Sequence, residues 1–150
     1  VETAEEIAIP HKLPPIHDEA LREMKFGDWE GKTFSELEQD KTWRRFNQFR
    51  SMVRPPNGEL MIAVQARMLE AADRMGRAHP DAVIVVVSHA DPLRALIAHV
   101  TGIALDHLQR IRLDPASVSI IRFSGDWLEL AGLNCTGSIT SQLQAEAATV

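Results

Sequence analysis

Apolar positions are ordered most clearly between residues 61 and 75. Met61, Val64, Met68, Ala71/Ala72 and Met75 recur every three or four residues, while Arg67, Glu70, Asp73, Arg74 and Arg77 occupy the opposite face. That spacing predicts an amphipathic helix with one buried stripe. The turn Pro55-Pro56-Asn57-Gly58 leads into it, with Asn57 as its cap, and His79-Pro80 stops it. A different pattern follows. Val83-Ile-Val-Val-Val-Ser88 is an unbroken β-branched run, which reads as a strand buried on both faces, the central strand of a parallel sheet. Asp91 then offers an N-cap and Pro92 a first helical residue. Leu93, Leu96, Ile97 and Val100 form a second helical stripe, closed by Gly102. Ser117–Phe123 and Trp127–Leu133 are strand-like and joined by Ser124-Gly125-Asp126, a hairpin signal.

The amino-terminal part is less regular. Residues 2–8 are helix-prone but uncapped, and Pro10, Pro14 and Pro15 end the segment. Ile16 to Leu21 is a weak strand candidate. The loop Arg22-Glu-Met-Lys-Phe-Gly-Asp-Trp-Glu-Gly31 comes next, then Thr33-Phe-Ser-Glu36, a capping box for a short helix. A second helix is expected over Thr42–Met52. Residues 1–136 read as one domain, and the small, polar stretch 137–150 as a flexible tail. A strand as apolar as 83–87 calls for a neighbour on each edge and helices on both faces. The hairpin can supply one edge, but 16–21 is a poor candidate for the other. The expectation is an N-terminally incomplete domain whose uncovered sheet edge favours pairing into a homodimer.

This pattern puts His89 at the carboxyl end of a strand, just before a helix N-terminus. Ligands bind there in open α/β sheets, and unpaired amides favour an anion. Geometry alone leaves open whether His89 contacts a ligand or merely completes the turn.

The 150 residues are 45% hydrophobic and 25% charged, ordinary globular composition, with a formal net charge of −5 that argues against bulk attraction to nucleic acid. Cys135 has no cysteine to pair with, no apolar stretch approaches a membrane span, and no metal-ligand spacing occurs. A cytoplasmic protein without cofactor or metal, binding neither nucleic acid nor membrane, is expected. Trp43, Phe46 and Phe49 interleave with Arg44, Arg45 and Arg50, which helical spacing explains as an amphipathic face.

Several stretches together resemble the histidine phosphatase superfamily, the phosphoglycerate-mutase-like phosphatases and mutases. They are Glu2-Thr-Ala-Glu5, Leu21 to Gly31, Asn57-Gly-Glu59 ahead of a helix with Arg67, Val87-Ser-His-Ala90 with Arg94, and Leu133-Asn134. The resemblance implies a three-layer α/β domain, with a mostly parallel sheet and helices on both faces. It also implies phosphoryl transfer through a phosphohistidine without metal. Glu23 matches the family's proton donor, and His89 its second active-site histidine, which contacts the transferring phosphoryl group.

The departures are as informative. The family's nucleophilic histidine lies in an Arg-His-Gly motif at the end of the first strand, and no Arg-His-Gly occurs in these residues. The phosphate-binding arginine ahead of the helix holding Thr3 and Ala4 is also missing. The closing Leu-Asn-x-Thr-x-His-Leu pattern reads Leu133-Asn-Cys-Thr-Gly-Ser-Ile139, without its histidine. The first central strand of the fold is therefore the segment expected to be missing. On pattern alone Glu23 reads as a solvated loop carboxylate; the resemblance turns it into an acid with a raised pKa. The expected function is hydrolysis of a small phosphomonoester rather than mutase transfer, with little turnover by the 150-residue chain itself. The alternative is a catalytically inactive phosphate-binding or scaffold module that retains half of the site.

Overall fold

In the computed structural model, which describes residues 2–124 and 127–139, two long helices form the frame that everything else leans on. They are α4 (Met61–Ala78) and α5 (Ala90–Thr101). The shorter helices are α1 (Glu2–Ala8), α2 (Phe34–Leu37) and α3 (Lys41–Gln48), and single 3-10 turns occupy Ile9–His11, Glu19–Leu21, Gly27–Trp29 and Leu105–Arg110. A two-stranded antiparallel sheet, β1 (Val118–Ser124) and β2 (Trp127–Cys135), closes the described chain.

The stripe expected on α4 is only partly buried at Met75 and buried at Met61, Val64, Met68, Ala71 and Ala72. They share a core with Ala95, Leu96, Ile97 and Ala98 of α5 and with Leu105, Leu108 and Ile111 beyond it. Gln65 adds a polar tie, its Nε2 donating to the Ala95 carbonyl at 2.8 Å. At the other end of this core, Trp29 meets Trp43 and Phe46 edge-on, with ring centroids 5.2 and 5.3 Å apart. The Trp29 indole N–H donates to Asp40 at 3.0 Å. That bond satisfies the one polar atom of a buried ring, and Asp40 also caps α3.

The capping box forms as expected, with Thr33 and Glu36 satisfying each other's amides. Gly102 takes the left-handed conformation that ends α5. The hairpin forms as expected, with Ser124, read as a turn residue, instead pairing in β1 opposite Trp127; residues 125–126 lie outside the described residues. So do residues 140–150 of the expected tail. Among the described residues no helix is long and apolar enough to cross a membrane.

Several expectations are corrected. Val83–Val87 is no buried strand: Val83 is 81% and Val85 63% exposed, and no ladder partner lies on either side among the described residues. Strands are made by their neighbours, and an apolar run alone cannot form one. The sheet observed is accordingly antiparallel and two-stranded, where a mostly parallel one was expected. Residues 16–21 hold a 3-10 turn instead of a strand, because the Asp18 side chain caps it by accepting from Ala20 N–H at 2.9 Å. His89, not Asp91, stands at the N-cap of α5, so Asp91 and Pro92 lie inside the first turn. Leu60 rather than Asn57 occupies the N-cap of α4, and α3 stops at Gln48.

Gly27 shows what fixes the loop before α2. Its φ is +59°, and a Cβ there would lie 2.2 Å from the Pro56 carbonyl oxygen and 2.6 Å from the backbone of Asn57 and Gly58. Asp28 N–H donates to that same carbonyl at 3.0 Å. Both the dihedral and the close backbone approach therefore require glycine. Gly27→Ala is expected to cost about 3 kcal/mol, the range of strained backbone plus steric displacement. Urea unfolding of the variant checks this, and a loss below about 1 kcal/mol would show that the two loops separate freely.

Candidate active site

The loop bearing Glu23 has little regular structure of its own, and α4 holds it from below. Arg67, placed by periodicity on the solvent face of α4, is instead half-buried beneath this loop. Its guanidinium donates to the Ala20 carbonyl, to the Glu23 carbonyl at 3.4 Å and, through Nε, to Glu59 Oε1 at 3.0 Å. Glu59 in turn accepts from Arg22 at 3.2 Å and from the Lys25 backbone N–H at 3.3 Å, while its own N–H donates to the Lys25 carbonyl at 2.8 Å. Burial pushes the Glu59 carboxyl up, but the bonds from Arg67 and Lys25 and the charges of Arg67 and Arg22 outweigh it. They hold the group below the ordinary carboxylate range.

A second tie reaches the loop from the other side. Ser88 Oγ donates to the Leu21 carbonyl at 2.7 Å, so the residue before His89 is fastened to the segment before Glu23. His89 has the extended backbone of an N-cap, and its carbonyl accepts the Leu93 N–H at 3.1 Å. The two side chains converge as a result: His89 Nδ1 stands 3.8 Å from Glu23 Oε2. Both remain open to solvent, with side chains 57% and 38% exposed, so a ligand can reach them.

The electrostatics of the two loop carboxylates differ. Partial burial pushes the Glu23 carboxyl up from its ordinary value, and the Asp91 charge adds to this. The Met24 backbone N–H, 2.7 Å from Glu23 Oε1, and the charges of His89 and Arg67 oppose the rise without cancelling it. A carboxyl that keeps its proton more readily than usual, beside an imidazole at a helix N-terminus, can protonate a leaving oxygen while the helix end and imidazole favour anionic oxygens.

Arg54 is exposed and donates to the carbonyl of Gly58 in its own loop. His11, His17, His79, His99 and His107 are all exposed and stand apart from this arrangement. Periodicity misses two residues behind the site, Arg67 and Asp91. Asp91 looks like a helix cap by type, yet its carboxylate accepts from Arg50 at 2.6 Å and from Arg94 at 3.3 Å. The sequence signal for both is a charged residue close to the apolar stripe of a helix, where most charges are excluded.

The model of the histidine phosphatase superfamily, branch 1, matches residues 1–136. The chain belongs to this superfamily. Among curated relatives, the bifunctional protein Rv2228c of Mycobacterium tuberculosis is 37% identical over 116 residues, covering 76% of this chain and 32% of its own length. Phosphoserine phosphatase 1 of Hydrogenobacter thermophilus is 28% identical over 136 residues, covering 89% of this chain and 64% of its own length. The chain thus spans about a third of the mycobacterial relative and less than two thirds of the other. Among solved structures, Bacillus stearothermophilus YhfR superposes with a TM-score of 0.85 at 33% identity, covering 91% of this histidine phosphatase chain and 69% of YhfR.

The clamp on the Glu23 loop gives a test with a defined sign. A carboxyl whose folded pKa is depressed contributes stability above its unfolded pKa and loses it as pH falls through the folded one. Glu59→Gln is expected to cost about 1–3 kcal/mol at pH 7, since it leaves two half-buried guanidiniums short of their anion. The gap to the parent chain should close as pH is lowered through the carboxylate range. Thermal melts from pH 7 to pH 2.5 check this, and a gap that is constant with pH would remove the ionic role from Glu59.

Proposed function

We propose that this histidine phosphatase domain serves metal-independent hydrolysis of a small phosphomonoester through a phosphohistidine intermediate. Glu23 is its proton donor and His89 its phosphate-contacting histidine. The nucleophilic histidine lies outside these 150 residues, because no Arg-His-Gly occurs in them. The carrying observation is the approach of His89 Nδ1 to within 3.8 Å of Glu23 Oε2 at the N-terminal end of α5. Phosphoryl transfer asks mainly for positioning and for stabilisation of charge on the phosphoryl oxygens. An imidazole at a helix N-terminus answers the second need. The leaving alkoxide requires a proton, and the raised affinity of Glu23 for its own supports that role. The same carboxylate then activates the water that releases phosphate from the phosphohistidine.

The phosphatase names of several relatives support phosphoester hydrolysis over mutase transfer, although one matching relative is a phosphoglycerate mutase. A second reading, an inactive module that only binds phosphate, is favoured by the missing Arg-His-Gly motif. The two separate in one assay.

The 150-residue chain is expected to hydrolyse p-nitrophenyl phosphate at background rate. A form extended at the amino terminus by a segment carrying Arg-His-Gly should turn over, with its rate unchanged by chelator. In that extended form Glu23→Gln should lower kcat by about 10²–10⁴-fold, the usual weight of a general acid. Robust turnover by the unextended chain would overturn the placement of the nucleophile. An extended form that binds phosphate but never turns over would establish the inactive module.

A further inference from the structure

The proposed phosphate site carries a carboxylate where an anion site should not. Asp91 lies in the first turn of α5, two residues after His89. A negative side chain there suits the helix dipole, but it repels a phosphoryl anion at the same helix end. Its neutralisation comes from inside the fold.

Arg50 is the charged residue that the core encloses among the described ones, only 4% exposed. It sits beyond the end of α3, with its Cζ 4.5 Å from the centroid of the Phe46 ring. Nη1 donates to Asp91 Oδ2 at 2.6 Å and Nη2 to Asn47 Oδ1 at 3.0 Å, while Nε is buried with no partner. The other Asp91 oxygen accepts from Arg94 Nη1 at 3.3 Å, and Arg94 is shared with the Ile111 carbonyl at 2.9 Å. One carboxylate and two guanidiniums leave this cluster at +1. With Asp91 13% and Arg50 5% exposed at the side chain, little of that charge is screened by salt.

Stability does not explain the arrangement. A buried ion pair is a weak stabiliser, and well-packed neutral residues of similar volume commonly do as well or better. A guanidinium left with an unpaired Nε is a poor solution for packing alone. What charge supplies, and neutral residues cannot, is control of the field at the end of α5.

We propose that Arg50 is a positioning residue of the phosphate site: by pairing with Asp91 inside the fold it cancels the carboxylate beside His89 and leaves the mouth of α5 able to hold a phosphoryl anion. The proposal rests on reading His89 and Glu23 as that site. The groups facing Glu23 are His89 and Asp91 of α5, Arg67 of α4, and Arg22 on its own loop. Arg50 therefore acts on Glu23 through Asp91.

The test uses the 150-residue chain with Arg50→Met, Arg50→Lys, Asp91→Asn and the double variant R50M/D91N, each checked for folding by circular dichroism. Calorimetry with inorganic phosphate reads the site, and carboxyl NMR reads the titration of Glu23. Arg50→Met takes the cluster from +1 to neutral and should weaken phosphate about tenfold, the size of one positive charge removed nearby. Arg50→Lys and the double variant should stay within about twofold of the parent, and Asp91→Asn should bind no more weakly. Glu23 should titrate higher in Arg50→Met and lower in Asp91→Asn. A structural role predicts another order, with both single variants weakened, the double variant worst, and Glu23 moved alike in both. That result, or no response to Arg50→Met in either measurement, overturns the proposal. A parent chain that binds no phosphate would refute the site reading instead, and the opposite shifts of Glu23 would still decide whether Arg50 works through Asp91.

Discussion

The hold of Glu59 on Arg67 is the constraint from which the rest of the site follows. The segment from Asp18 to Phe26 carries only one 3-10 turn and little regular backbone hydrogen bonding of its own. Glu59 joins it to α4 by accepting from Arg67, Arg22 and the Lys25 backbone together. Charge-assisted bonds of this kind are shorter and stronger than neutral ones, and a shared acceptor makes them cooperative. Arg67 rises from the same helix whose other face forms the core, so the loop inherits the rigidity of α4. A functional carboxylate on a loop needs such a frame beneath it.

Two carboxylates of similar chemistry are thereby pushed in opposite directions within a few residues of space. Glu59 is surrounded by cations and is held ionised. Glu23, one step further out, is partly buried, faces Asp91 and keeps its proton longer. Environments that separate the affinities of neighbouring acids let a single fold hold one ionised and leave the other able to keep its proton. Linkage gives the two groups opposite pH signatures. Glu59 loses its contribution as pH falls, whereas Glu23, with a raised folded pKa, is most favourable below its unfolded value and costs stability as pH rises through the folded one.

Much of this was legible from the chain. The stripe of α4, the Thr33–Glu36 box, the Gly102 stop and the hairpin each rest on a local rule, and each formed; in α5 Leu96 and Ile97 are buried as expected, while Leu93 and Val100 are only partly so. His89 stood out by its place between the apolar run and a helix start, with its role left open, whereas Glu23 came from motif resemblance alone. Asp91 was misread as the cap of α5, whereas Arg67 and Arg50 were misread for one shared reason. Charge on a helix is assigned outward by default, and an inward charge is recognisable only from the partner it meets, which lies 41 residues away for Arg50 and 47 for the Arg67 contact with Ala20. Residues 16–21 failed differently: a single Asx-type cap at Asp18 overrode a weak strand pattern.

The run Val83–Val87 shows how a sequence can specify surroundings that local structure does not express. Its composition is that of a strand covered on both faces, yet Val83 and Val85 lie largely in solvent. Covering such side chains is worth about 1.5–3 kcal/mol each, enough to make strand pairing at this position a strong driving force. The run continues through Ser88, whose hydroxyl is fastened to Leu21, into His89 at the cap of α5. Any strand that pairs here is therefore mechanically connected to the imidazole and, through Leu21, to the loop of Glu23. The hydrophobic run and the Glu23–His89 pair are thus neighbours both along the chain and in space.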